Sequence, residues 1–187
     1  MRVGVLGVQG SVKEHMDKLK LIKGIEAVEA KDRDTILTLD ALIIPGGEST
    51  AIGKILVDFG LKDAILKLNE RKVPIWGTCA GMILMAKHIV NDERIHLGIM
   101  DITVRRNAYG SQIDSFKTRL MIPAVSENEI EAVFIRAPYI ESVGDGVRIL
   151  AKYEGRIVAA QQDNLLATAF HPELTDDLSF YKYFLGL

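Results

Sequence analysis

Apolar residues come in short, dense runs separated by segments with a different period. "RVGVLGV" (2–8) is a β-branched run closed by Gln9-Gly10, and helical spacing follows from Ser11 to about Lys23. Ser11 with Glu14 three residues later has the form of a capping box. "DALIIPGG" (40–47) reads as a wholly apolar strand broken by Pro-Gly-Gly. "ESTAIGKILVDFG" (48–60) returns to helical spacing, with Gly60 as its stop. "VPIWGTC" (73–79) is a third buried strand, and "AGMILMAKHIV" (80–90) predicts a helix directly after it. Strands apolar on both faces and alternating with helices predict a parallel sheet covered on both sides.

Beyond about residue 100 the pattern becomes strand-rich. "DITVRRNAYGSQIDSF", "EAVFIRAPYIESV", "VRILAKYEG", "RIVAAQQDN" and "LLATAFHPE" read as strands, with turns at Glu154-Gly155 and Asp163-Asn164. The chain closes on helical spacing, "TDDLSFYKYFLGL". The expectation is a single α/β domain over residues 1–187: a three-layer sandwich with a mostly parallel, flavodoxin-like central sheet and a mixed or antiparallel extension.

Composition narrows the classes. A formal net charge of −2, with basic residues scattered apart from Arg105-Arg106, carries no nucleic-acid footprint. No apolar run approaches the length of a membrane span. "MRVGVLGVQG" lacks a small-residue cleavage site and alternates like a strand, so cytoplasmic residence is expected. The single cysteine excludes an intramolecular disulfide, and no cluster has zinc spacing.

That cysteine lies in "GTCAG" (77–81), where a predicted strand meets a predicted helix. This is the thiol form of the G-x-S-x-G nucleophile elbow. The turn places Cys79 at the C-terminal edge of the sheet, where open α/β folds hold their ligands. The helix N-terminus stabilises negative charge there, and the N–H of Ala80 faces a developing oxyanion. The alternative is an inert packing thiol.

A base decides between the two. His15 and His88 sit in helical patterns and His96 in a loop, and each reads as a surface or packing residue. His171 ends "LLATAF" and precedes Pro172, which biases it towards extended backbone. Glu173, two residues on, then projects to the same side and can orient the imidazole. The bland reading of "HPE" is a capped turn. Cys79, His171 and Glu173 together suit acyl transfer. The Gly46-Gly47 turn is the best supplier of a second oxyanion donor.

With these residues placed, the chain resembles the class I glutamine amidotransferases, and among them the glutaminase subunits of pyridoxal 5′-phosphate synthase. The blocks carrying this are "LGVQGSVKEH" (6–15), "PGGEST" (45–50), "WGTCAGMILMA" (76–86), "RRNAYGSQIDSF" (105–116), "FIRAP" (134–138) and "ATAFHPELTDD" (167–177). The resemblance implies hydrolysis of L-glutamine by a Cys79–His171–Glu173 triad. It implies glutamine binding by Gly47, Glu48, Ser49, Arg106, Ile135 and Arg136. It also implies ammonia delivery to a (β/α)8-barrel synthase partner, with no metal or cofactor in the glutaminase step. Arg106 suits the substrate carboxylate through its planar fork, and Glu48 suits the ammonium. Two departures from the family pattern stand out: Ser111 where arginine is usual, and Tyr181 where histidine is common.

Two rivals remain. An amidotransferase of another pathway, such as histidine or purine synthesis, is disfavoured by "RNAYGSQIDSF". A non-enzymatic thiol sensor or chaperone of the DJ-1 kind is disfavoured because such proteins commonly place histidine directly after the cysteine, where this chain has Ala80, and lack a downstream "HPE".

Overall fold

The computed structural model describes residues 1–106 and 115–187. In chain order the elements are β1 (Arg2–Leu6), α1 (Val12–Lys20), β2 (Glu26–Ala30), α2 (Arg33–Leu37), β3 (Ala41–Ile44), α3 (Ser49–Asp58), α4 (Leu61–Glu70), β4 (Ile75–Thr78) and α5 (Ala80–Met85). There follow β5 (Ala86–Ile89), β6 (Met100–Arg105), β7 (Ser115–Leu120), β8 (Ile130–Ile135), β9 (Tyr139–Val143), β10 (Arg148–Tyr153), β11 (Arg156–Gln162), β12 (Leu165–Thr168), a 3-10 turn at Pro172–Leu174, and α6 (Ser179–Leu185).

Among the described residues the strands form one large sheet in the order β2-β1-β3-β4-β12-β11-β9-β6-β5, with β10 beside β11, and a separate antiparallel pair β7-β8. From β2 to β12 every pairing is parallel. From β12 to β6 the pairings are antiparallel, and β5 joins β6 in parallel. The expected parallel sheet with an antiparallel extension is therefore present, in one continuous surface.

Strand β4 shows how the layers form. Trp76 is fully buried and packs on Phe180, Tyr181 and Phe184 of α6 and against His15 of α1. Gly77 faces the other side, where α5 lies so close that a Cβ would come 2.5 Å from the Gly81 carbonyl carbon. So α1 and α6 cover one face, and α5, in contact with α3 and through it α4, covers the other. The Trp76 indole donates to Thr168 Oγ1 on β12 at 3.1 Å, so even its polar atom is paired. Truncating such a side chain to alanine costs about 3–5 kcal/mol.

Several expectations are corrected. The helix expected over 80–90 stops at Met85, and Ala86 turns to extended backbone (φ −62°, ψ 141°) to open β5. All six residues of α5 are buried, so the run has no polar face to reveal its period. His88 consequently lies on an exposed strand position rather than a helix. The segment 131–143 is two strands, split at Arg136 (φ 41°), one in the small pair and one in the main sheet. The first helix ends at Lys20, and Ser11 makes no side-chain cap. Edge strand β2 and helices α2 and α4 had no counterpart in the sequence reading, which ended its second helix at Gly60. Gly60 does stop α3, in left-handed conformation, and it also caps α4, whose Leu61, Ala64, Ile65 and Leu68 form one buried stripe. The turns at Glu154-Gly155 and Asp163-Asn164 fall where expected, with φ of 48°, 77° and 49° at Glu154, Gly155 and Asp163.

Candidate active site

The chain segments leaving the C-terminal ends of β1, β3, β4 and β12 meet around one open pocket of about 550 Å³. Cys79, Ala80, His171, Glu173, Gly46, Gly47, Glu48, Ser49, Arg106, Ile135 and Arg136 all line it, so the structure brings every predicted site residue together. The block 107–114, including Ser111, lies outside the described residues.

Cys79 sits between β4 and α5 with φ 49° and ψ −104°, a conformation unfavourable for a residue with a side chain. The flanking glycines explain how it is reached. Besides the contact of Gly77 with α5, a Cβ on Gly81 would run into the carbonyl oxygen of Ile44. Glycine thus permits the close approach of strand and helix, and the strained dihedrals fall on the cysteine itself. The thiol is only 8% exposed, at the floor of the pocket. Ala80 opens α5, where first-turn amides have no acceptor within the helix.

His171 stands beside Cys79 across Gly46, where an added Cβ would lie 2.5 Å from His171 Cε1 and 3.4 Å from Cys79 Cβ, and the His171 Nδ1 lies 2.7 Å from Glu173 Oε1. Its backbone amide donates to Val133 of β8 at 2.8 Å, and Phe170 packs edge-on against Phe134, so the small strand pair buttresses the loop. Glu173 returns to the imidazole through the 3-10 turn rather than through continuous extended chain. Ser11 Oγ donates to the same carboxylate oxygen at 2.7 Å, which is where the hydroxyl goes instead of capping α1. Burial opposes the imidazolium, but hydrogen bonds to Cys79 and Glu173 outweigh it and push His171 up to about 10. Burial likewise opposes the Glu173 carboxylate, yet the neighbouring histidines and the Ser11 hydroxyl hold it down at about 2.

The substrate side is built differently. The Glu48 carboxylate caps α3, accepting from the amides of Thr50 (3.0 Å) and Ala51 (2.6 Å). Gln9 Oε1 accepts from the Glu48 amide at 2.9 Å. Arg106 reaches Glu48 at 3.7 Å and Asp92 at 3.6 Å, while its neighbour Arg105 turns away to Glu141. Asp92 is held below the usual carboxylate range mainly by hydrogen bonds from Arg94. The sequence reading missed Ser11, Asp92 and the place of His15. Ser11 was read only as a helix cap, and the contacts of Ser11 and His15 with Glu173 join residues far apart in the chain.

The comparisons agree with this geometry. The SNO glutamine amidotransferase family matches residues 5–186. The chain belongs to that family. It is 95% identical, over 100% of this chain and 99% of the relative, to "Pyridoxal 5'-phosphate synthase subunit PdxT" of Caldanaerobacter subterraneus subsp. tengcongensis. A solved structure described as "Crystal structure of glutamine amidotransferase" superposes with a TM-score of 0.92 at 42% identity, covering 98% of this chain and 97% of that one. The PurLQS structure from Thermotoga maritima matches at a TM-score of 0.72 and 15% identity, covering 99% and 97%, and shares the fold alone. In this SNO family member, then, the pocket at the sheet edge is the candidate site for glutamine amidotransferase chemistry.

Proposed function

We propose that this chain is the glutaminase subunit of a pyridoxal 5′-phosphate synthase, hydrolysing L-glutamine to L-glutamate and ammonia for a (β/α)8-barrel synthase partner. The observation that carries the reading is the grouping of Cys79 with the hydrogen-bonded His171–Glu173 pair in a pocket large enough for an amino acid, in a chain so close to a curated synthase subunit.

The steps follow from the geometry. Cys79, as thiolate beside the charged imidazole, attacks the carboxamide carbon of glutamine. The oxyanion takes N–H donation from Ala80 and from the Gly46-Gly47 turn. His171 gives its proton to the departing nitrogen, and ammonia leaves from a thioester. The neutral imidazole then takes a proton from water, whose oxygen attacks the thioester and frees glutamate. Glu173 holds the Nδ1 side of the imidazole throughout. Gly47, Glu48, Ser49, Arg106, Ile135 and Arg136 hold the amino acid, with Arg106 on its carboxylate.

The Gly46-Gly47 peptide is a natural point of control. The Gly46 carbonyl accepts from the Ser11 amide at 3.0 Å, so the loop after β1 holds that peptide's orientation. Docking of the partner on this loop sets the peptide to present an N–H to the oxyanion. Cytoplasmic residence fits the substrates; no helix among the described residues is long and apolar enough to cross a membrane.

The test is ammonia release from glutamine by the lone chain and by its complex with the barrel subunit, repeated with Gln9→Ala. Turnover is expected in the complex and near silence in the lone chain. Full activity without the partner overturns the gating. No glutamine turnover in either form overturns the function. A glutamine-mimicking electrophile should alkylate Cys79, with glutamine protecting it, which a DJ-1-like thiol sensor would not show.

A further inference from the structure

A second histidine stands behind the triad. His15, on α1, is fully buried and takes no part in the steps above. Its Nε2 is hydrogen-bonded to Thr78 Oγ1 at 3.2 Å, one residue before Cys79, and lies 3.4 Å from Glu173 Oε2, a buried atom with no hydrogen-bond partner among the described residues. Its Nδ1 lies 2.7 Å from the hydroxyl of Tyr181 on α6. Glu173 uses Oε1 for both His171 and Ser11, so Oε2 points into the core with His15 as its facing nitrogen. An acceptor buried there without a donor is costly.

From this arrangement we infer that His15 is a positioning residue for glutamine hydrolysis: as a neutral imidazole, its tautomer fixed by Tyr181, it donates its Nε2–H to the inner oxygen of Glu173. The inference rests on the triad reading given above.

The tautomer follows from the partners. The Thr78 hydroxyl can accept as readily as donate, whereas a bare Nε2 lone pair would face the carboxylate oxygen, so Nε2 carries the proton, shared between Thr78 Oγ1 and Glu173 Oε2. Nδ1 is then an acceptor, and Tyr181 must donate to it. Burial lowers the basicity of His15 against the opposing pull of Glu173, and burial raises Tyr181 far above its ordinary value, so both stay neutral. The effect on chemistry is indirect. With Oε1 held by His171 and Ser11 and Oε2 drawn towards the His15 N–H, rotation of the carboxylate is opposed, and the His171 ring it supports stays aimed at Cys79. Tyr181 therefore lies one hydrogen bond behind the residue that faces Glu173.

The experiment measures glutamine turnover in the complex with the barrel subunit for the wild type, His15→Leu, His15→Gln and Tyr181→Phe, alongside each variant's Tm. His15→Leu should lower kcat roughly 10-fold or more with KM little changed, because the lost donor touches no substrate. His15→Gln keeps an N–H near the Nε2 position and should recover much of that loss. Tyr181→Phe should give a smaller fall in kcat. Equal kcat losses in the Leu and Gln variants, or a folded His15→Leu protein with wild-type kcat, would overturn the inference. Independently of activity, ¹⁵N-histidine NMR of the full chain should show His15 neutral and protonated on Nε2. A cationic or Nδ1-protonated His15 would also overturn it. Failure of the wild-type complex to release ammonia would instead strike the function itself, and the NMR result would still decide the tautomer.

Discussion

The two sides of the pocket are held by different means. On the triad side, Glu173 is 3% exposed and fixed by His171 and Ser11 at 2.7 Å each, with His15 behind it. On the substrate side, the Arg106 side chain is 32% exposed and meets two carboxylates at 3.6 and 3.7 Å, longer than direct hydrogen bonds. The first arrangement is buried and held by short hydrogen bonds. The second is a looser, partly exposed charge network. On the function proposed above, the contrast means that the reacting groups are set before glutamine arrives, whereas recognition is completed by the ligand.

The sharpest way to break the comparison is to remove a reacting group. Cys79→Ala and His171→Asn should each lower glutamine turnover at least about 10³-fold in a protein that remains folded by circular dichroism. Substantial ammonia release by folded Cys79→Ala would end the case for a preset nucleophile. Next in size, Glu173→Gln should lower kcat roughly 10²-fold or more while KM barely moves, since the carboxylate orients the base. A change confined to KM would place Glu173 on the substrate side of the divide. Arg106→Lys tests the opposite wall: KM should rise about 10-fold with a smaller change in kcat, because lysine offers no bidentate fork. If kcat fell instead, Arg106 would belong with the preset groups.

The smallest effect is read from stability against pH. The carboxyl of Glu173 is held at about 2 when folded, against 4.5 for the free group. Its ionisation therefore contributes stability that is complete above about pH 4.5 and is lost as pH falls through about 2. The Tm advantage of the wild type over Glu173→Gln should shrink across that window. A constant difference would mean that the carboxylate's charge does not stabilise the fold.

Much of this protein was legible in one dimension. The apolar runs of β3 and β4, and the Gly-x-Cys-x-Gly turn, located the sheet edge and the place of Cys79 on it, because strand period and glycine placement are local properties. "HPE" placed His171 and Glu173 together for a related reason, their closeness in the chain, although a 3-10 turn rather than extended backbone brings them into contact. The fully buried α5 was not separable from β5, since a run apolar on every side has no period to read. Edge strand β2, with glutamates at 26 and 29 and small residues beside Val28, carried too little apolar signal. What only the tertiary structure decided is the support of the site. Ser11 lies 162 positions from Glu173, and His15 lies 166 from Tyr181. Nothing in the local spacing of these residues marks them as partners. They meet because α1 and α6 pack on one face of the sheet beside Trp76, and buried polar atoms in that layer take their partners from wherever the fold places them.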